Sequence, residues 1–466
     1  MSDQPTSYNQ IDFVIKAPRF RIVFSYMDDK SMAFIREYLL KLLHLTPCKP
    51  EQIAQYFGFS QHETEVALAD LEQNKWISWQ ANGCIALSDI GKQLFYATTG
   101  DNDTPKIPTL KESGGEYRME LLDNNFLKKQ HCDKVRQQAL ELTIEPEVIS
   151  ESQEIARKTF QRRFRQLMED DIIELNSKDI SLYKIDAIES KGSPDYFRFT
   201  QKFELLPETG EAKERHDIAH LTYQDDIQQA ITNKLGAFSH HDNLRELRKS
   251  MEAIGDDDTL KVLFGGKLDF AEFLKIHQKY EQQNGLYFLG QIYHQEPMFK
   301  KINQILDELD KAQSKKLYWL APSDIYWGKQ RKIHDKLQNL IDKSKHKDER
   351  KYDFRLYLPL PPERNRHDKQ EWQNQFRDIS DKVLYGFYEG FLNGNTEILF
   401  LEDTFAIVCY HAKLSEYPVT LPIGFMTTQK DEVKYIAQFA EKYLNSVIHS
   451  HHDDAKSYDF GLLSKI

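Results

Sequence analysis

Residues 157–166 (RKTFQRRFRQ) hold Arg157, Lys158, Arg162, Arg163 and Arg165 and no acid. Phe160, Phe164, Leu167 and Met168 recur at helical spacing, which predicts a helix with one apolar stripe. Lys158, Arg162 and Arg165 fall on another face. Cations on a helix anchored by aromatics suit phosphate groups, which supply much of the affinity in nucleic-acid complexes. Pairing with nearby acids such as Glu151 and Glu154 is the plainer use of the same charges.

Two other segments carry binding chemistry. In residues 61–75 (QHETEVALADLEQNK), Gln61, His62 and Thr64 stand where a helix start could read base edges, and Lys75 could meet a phosphate. Glu63, Glu65, Asp70 and Glu72 oppose that use by repelling phosphate. Residues 329–369 hold thirteen Lys and Arg, Arg331 and Lys332 among them, against seven Asp and Glu. Trp319, Tyr326 and Trp327 precede them, so bases could stack beside cations, although a solvated helix is the commoner meaning of such a run.

The remaining signals point away from catalysis. His449, His451, His452, Asp453 and Asp454 read as a polar tail, and Gly265-Gly266 as a turn without the lysine of a phosphate loop. No G-x-S-x-G or H-E-x-x-H occurs, and Cys48, Cys84, Cys132 and Cys409 lack metal-ligand spacing. We therefore expect no cofactor and no metal. Scattered cysteines, no leader-like N-terminus and no apolar run of roughly 20 residues make a cytoplasmic location the expectation, with no membrane partner.

With 466 residues, several domains are needed to bury the 40 % that are hydrophobic. The net charge of -11 excludes a globally basic coat, so nucleic-acid contact must come from local patches. The fold class expected is mixed α/β and multidomain. An extended arm (1–30) leads to a helical segment (31–98), and a linker (99–116) rich in Gly, Pro, Thr and Asp follows. Residues 117–206 hold the basic helix and two strands over 180–206, joined by a GSPD turn. A helical region (207–314), an α/β domain (315–448) and a polar tail (449–466) complete the chain.

Within 31–98 the elements are specific. Phe34, Ile35, Tyr38, Leu39, Leu42 and Leu43 mark one helix; Pro50 and Gly58 bound a second. Ser60 with Glu63 forms a capping box for a third, whose buried side is Val66, Leu68 and Leu71. Trp76–Trp79 and Ile85–Leu87 flank Asn82-Gly83, a hairpin signal, and Ser88 opens a closing helix. This order resembles the winged helix-turn-helix of bacterial regulators, a resemblance that implies contact with DNA or dimerisation. The continuation RQLMEDDIIEL resembles the end of a recognition helix, which implies a second winged-helix-like unit.

Strands at LYWLAP and FRLYLPLP, the hairpin EILFLEDTFAIVCYH and the helix DEVKYIAQFAEKYLNSVI are similar to a degenerate phospholipase-D-like domain of TrmB-type regulators. An active member implies H-x-K-x(4)-D, with the histidine attacking phosphorus. His411-Ala412-Lys413 supplies the first half, but Pro418 stands in the aspartate position; after His334 and His367 that position holds Ile341 and Asn374. The expectation is a non-catalytic DNA-binding bacterial protein, a regulator or a DNA-engaging subunit of a multi-gene system such as phage defence, with possible protein partners and a possible homodimer. The alternatives are a nuclease using His411 and Lys413, and an adaptor docking through its acidic winged helix.

Overall fold

A computed structural model describes residues 6–96, 104–175, 180–206, 212–216, 218, 221–238, 241–309, 315–346, 349–361, 366–448 and 456–466. The chain is mixed α/β and divides into two compact units, each built from separated stretches. The smaller comprises Ala17–Gln130 and Glu145–Pro194; the larger comprises Met1–Lys16, His131–Ile144 and Asp195–Ile466.

The smaller unit is built on a four-stranded antiparallel sheet in the order Phe126–Leu127, Lys106–Met119, Arg19–Ser31, Ile180–Ser190. The two long central strands run in register from Arg19 opposite Arg118 to Ser31 opposite Lys106. Most of the expected linker is therefore a strand, and the second half of the expected arm is its partner. The glycines that suggested a loop serve close approach instead: a Cβ on Gly114 would stand 3.0 Å from the Ile22 carbonyl oxygen. Helices Pro146–Arg162 and Phe164–Glu169 pack on this sheet through Phe160 and Phe164, whose rings lie 5.3 and 5.4 Å from that of Phe24.

Between the central strands the chain makes helices Phe34–Leu45, Pro50–Phe57 and Gln61–Gln73, the hairpin Ile77–Trp79 with Ile85–Leu87, and helix Asp89–Tyr96. The expected caps are present. Ser60 Oγ accepts from the Glu63 N–H, Glu63 Oε2 accepts from the Ser60 N–H at 2.8 Å, and Gly58 takes φ 70°. Leu39, Leu40, Leu43, Ile53, Leu68 and Leu71 form the local core. Phe34, Ile35, Tyr38 and Val66, expected inside, are exposed. The apolar side of the first helix is wider than the neighbours that cover it.

The larger unit contains an eight-stranded sheet ordered Leu286–Leu289, Leu421–Thr427, Phe405–Ala412, Thr396–Leu401, Lys315–Leu320, Tyr352–Leu360, Leu384–Tyr388, Asp459–Leu462. Lys315–Leu320, Tyr352–Leu360 and Leu384–Tyr388 are mutually parallel; the flanking pairs are antiparallel. Most of the tail is thus structural: Asp459–Leu462 edges the sheet and Leu463 is buried. The histidine-rich residues 449–454 lie outside the described residues. The expected helical region also gives this sheet the strand Leu286–Leu289.

A second sheet joins Thr6–Ala17 to Asp195–Leu205, with Leu140–Glu141 and Ala212–His216 beside them. The expected hairpin over 180–206 is not one. Ile180–Ser190 pairs with Arg19–Ser31, whereas Asp195–Leu205 pairs with Thr6–Ala17. Alternation identified the strands but not their partners, because period-two patterning specifies a face and says nothing about the neighbour. No described helix is long and apolar enough to cross a membrane.

Candidate nucleic-acid interface and a buried histidine centre

Helix Pro146–Arg162 begins with Pro146 at its first turn and buries Ala156, Thr159 and Phe160. That burial leaves Lys158 and Arg162 exposed, and Arg165 is exposed on the next short helix. Arg157 and Lys158 approach Glu154 at 3.6 and 3.7 Å, long surface contacts of small energetic weight. Arg163, at the break between the helices, donates to the Asn124 carbonyl oxygen at 3.4 Å. Arg162 and Arg165 have no ion-pair partner among the described residues. Two of the five predicted cations are therefore fully available, one is exposed beside a weakly held acid, and two are partly engaged.

The third helix of the smaller unit separates its predicted readers. Gln61 and His62 are exposed, but Thr64 is buried and its hydroxyl donates to the Ser60 carbonyl oxygen at 2.9 Å, so it cannot touch a base. Gln61 donates to Glu65 at 3.1 Å, and Arg36 holds Asp70 through two contacts of 2.5 and 2.7 Å. Lys75 is exposed just past the helix, with φ 59°.

Several cations of the basic run in the larger unit are engaged internally. Arg331 forks onto Asp133 at 2.9 and 3.1 Å, Lys336 meets Glu296 at 2.8 Å, and Lys343 meets Asp307 at 2.5 Å. Lys369 donates to the Ile466 carbonyl oxygen at 2.9 Å. Lys332 remains exposed. Trp319, Tyr326 and Trp327, read as possible base-stacking residues, are buried in the core.

His411 lies near the end of strand Phe405–Ala412 and is 1 % exposed. Its Nδ1 is 2.8 Å from Asp324 Oδ2 and its Nε2 is 3.0 Å from Glu397 Oε2. Asp324 Oδ2 also accepts from the Thr420 hydroxyl at 2.7 Å; Glu397 Oε1 accepts from the indoles of Trp319 and Trp327 at 2.7 and 2.8 Å. Burial alone would push the histidine down, but hydrogen bonds to Asp324, Cys409 and Glu397 raise it well above its ordinary value. Burial pushes Asp324 up, and the His411 and Thr420 contacts hold it below the usual carboxylate range. Burial lifts the Cys409 thiol to about 11. Both ring nitrogens are thus engaged by acidic side chains, and neither faces open space from which it could attack phosphorus.

Lys413 is held by its backbone, whose N–H donates to Asn243 Oδ1 at 2.7 Å; Asn243 Nδ2 donates to the His411 carbonyl oxygen at 2.9 Å. His334 and His367 sit on separate helices, Lys332–Lys343 and Arg366–Gln375. The partners of His411 escaped the sequence reading. One signal was present: Glu397 is an acid inside the otherwise apolar strand TEILFL, where burial demands a partner. Glu397, Cys409 and His411 also bring three donor atoms within 4.8 Å of one another, the one described grouping with a metal-ligand composition. The hydrogen bonds already account for its histidine and carboxylate. No protein-family model matches this chain, and no curated protein is significantly similar to it.

Proposed function

We propose that the protein binds nucleic acid, DNA in particular, and acts as a regulator or DNA-engaging subunit rather than as a catalyst. The observation that carries this reading is the exposed face formed by Lys158, Arg162 and Arg165, held by Phe160 and Phe164 in the core of the smaller unit. Solvent-facing cations gain from releasing the counterions of a phosphate backbone, whereas Arg331, Lys336 and Lys343 already face carboxylates. Residues 34–96 fit a winged helix in their element order, and the larger unit fits a degenerate phospholipase-D-like domain in its strand and helix order. Duplex-DNA affinity measured across salt tests the reading. Replacing Arg162 and Arg165 by glutamine is expected to flatten the salt slope by about 1 for each arginine. An unchanged slope removes this helix from the interface.

A second reading is supported by the exposed Phe34 (71 %), Ile35 (49 %) and Tyr38 (42 %) on the first helix. An apolar surface beside an acidic third helix suits a protein partner, making the molecule an adaptor. Stoichiometric copurification of a protein, lost on Phe34→Ser and without nucleic-acid absorbance, would favour it. Hydrolysis through His411 and Lys413 has the least support, because the ring is clamped on both nitrogens.

A further inference from the structure

A cavity of about 610 Å³ opens within the larger unit at the carboxyl ends of its three parallel strands. Ser323 lies just past Lys315–Leu320, Leu360 and Pro361 end Tyr352–Leu360, and Glu389 follows Leu384–Tyr388. Parallel strands direct ligands to that edge in open α/β sheets. Lys329 lines the cavity, and its Nζ makes a single hydrogen bond, to the neutral Gln375 Oε1 at 2.6 Å. No carboxylate pairs with it among the described residues. Lys234 lines the same cavity, also without an ion-pair partner among them. Burial lowers the Lys329 pKa; Glu371 offsets part of this and the charge of Lys234 adds to it.

We propose that this cavity binds a small phosphate-bearing ligand with a planar ring, of mononucleotide size, anchored by Lys329 and Lys234. A half-buried ammonium whose hydrogen bond goes to a neutral amide gains when an anion accepts its remaining donors. Trp372, half-buried on helix Arg366–Gln375, supplies a flat apolar wall, while Glu141, Asp368, Glu371 and Glu389 in the lining can accept from hydroxyl or amino groups of the ligand. Its volume lies in the ordinary range for small-ligand sites. This inference is independent of the basic helix in the smaller unit.

Calorimetric titration of the full chain with adenosine 5′-monophosphate, adenosine and inorganic phosphate tests it. The nucleotide is expected to bind more tightly than either fragment and to quench tryptophan emission. Lys329→Gln and Lys234→Gln should each weaken it about tenfold or more. Lys234, on helix Asp225–Gly236, gives a second variant should the Lys329 substitution disturb folding. An Arg162→Gln/Arg165→Gln protein should bind the nucleotide as the wild type does. Absence of heat with millimolar nucleotide would overturn the proposal, as would adenosine binding equally well or unchanged affinity in both folded lysine variants.

Discussion

Charge is used in opposite ways at His411 and on helix Pro146–Arg162. At His411 one cation and two carboxylates are sealed in the core, and each oxygen facing the ring has a defined partner. On the helix, Arg162 and Arg165 face solvent and pair with nothing described. A buried, satisfied charge belongs to the stability of the fold, because removing one member strands the others. An exposed, unsatisfied one is nearly neutral to stability and is available to a partner. The residue types alone do not draw this line: RKTFQRRFR suits phosphate or a solvated face, and His411-Ala412-Lys413 is half of a phosphodiesterase motif with Pro418 in the aspartate position.

The largest expected effect follows from breaking the buried side. His411→Ala leaves Asp324 and Glu397 facing each other without their cation and should cost about 3–5 kcal/mol, read by urea unfolding. A loss under about 1 kcal/mol would show that the carboxylates are not charged in the native state. The same centre has a pH signature. The histidine is raised in the folded protein, so its contribution is complete below its unfolded value near 6.5 and is lost as pH rises through the higher folded value. Asp324 is lowered, so its contribution is present above about 3.8 and fades as acid reaches its folded value. Stability measured from pH 6 to 9 should therefore fall in the wild type and stay flatter in His411→Asn.

A smaller effect sits in the turn that follows strand Lys106–Met119. Glu120 is buried, and its Oε1 accepts from the Asn125 backbone N–H at 2.7 Å and side-chain amide at 2.9 Å, while Oε2 accepts from the Leu122 N–H at 2.8 Å. Burial outweighs these bonds and lifts its pKa to about 7. A raised carboxyl adds stability that is present below about 4.5 and lost as pH climbs to about 7, about 3 kcal/mol across the window. Glu120→Asp, which withdraws the carboxyl from its turn, should remove most of that dependence in thermal melts of the protein between pH 4 and 7.5. A wild-type curve without slope there would place the ionised carboxylate comfortably in the core.

Much of this contrast was legible where local rules suffice. The Ser60–Glu63 box, the Gly58 stop and the Asn82-Gly83 hairpin follow from residues within a few positions, and all are present. The alternating texture after Leu317 implied several of the strands and helices there, but not the strands Leu384–Tyr388 and Leu421–Thr427. Long-range pairing was not legible. Lys106–Met119 carries Pro108, Gly114 and Gly115, loop residues by composition, yet it pairs with Arg19–Ser31 along its whole length. Asp324 and Glu397 meet His411 from 87 and 14 residues away. Apart from the lone acid in an apolar strand, the sequence offered no sign of that meeting. The basic run at 329–369 shows the same dependence on distant residues: Asp133, Glu296 and Asp307, which pair with three of its cations, lie far from it in sequence or outside it.

A cap gives a smaller perturbation again. Ser60→Ala removes an acceptor from the Glu63 N–H and should cost about 1 kcal/mol, while DNA affinity stays within twofold because that helix is acidic. A tenfold loss of affinity in this variant would return the third helix to the interface and weaken the distinction drawn between the two regions.

The smallest expected change in stability is the sharpest test of the comparison. Arg162 and Arg165 are exposed and have no ion-pair partner among the described residues, so Arg162→Gln/Arg165→Gln should leave unfolding free energy within about 0.5 kcal/mol of the wild type. Glutamine retains the methylene stem and helix propensity, so apolar contact along the helix is preserved. If the protein loses several times that amount, the arginines serve the fold as His411 does, and the two regions are alike. If stability is untouched while the salt dependence of DNA binding flattens, charge in the smaller unit is spent on a partner. Charge at His411 is then confined to the core.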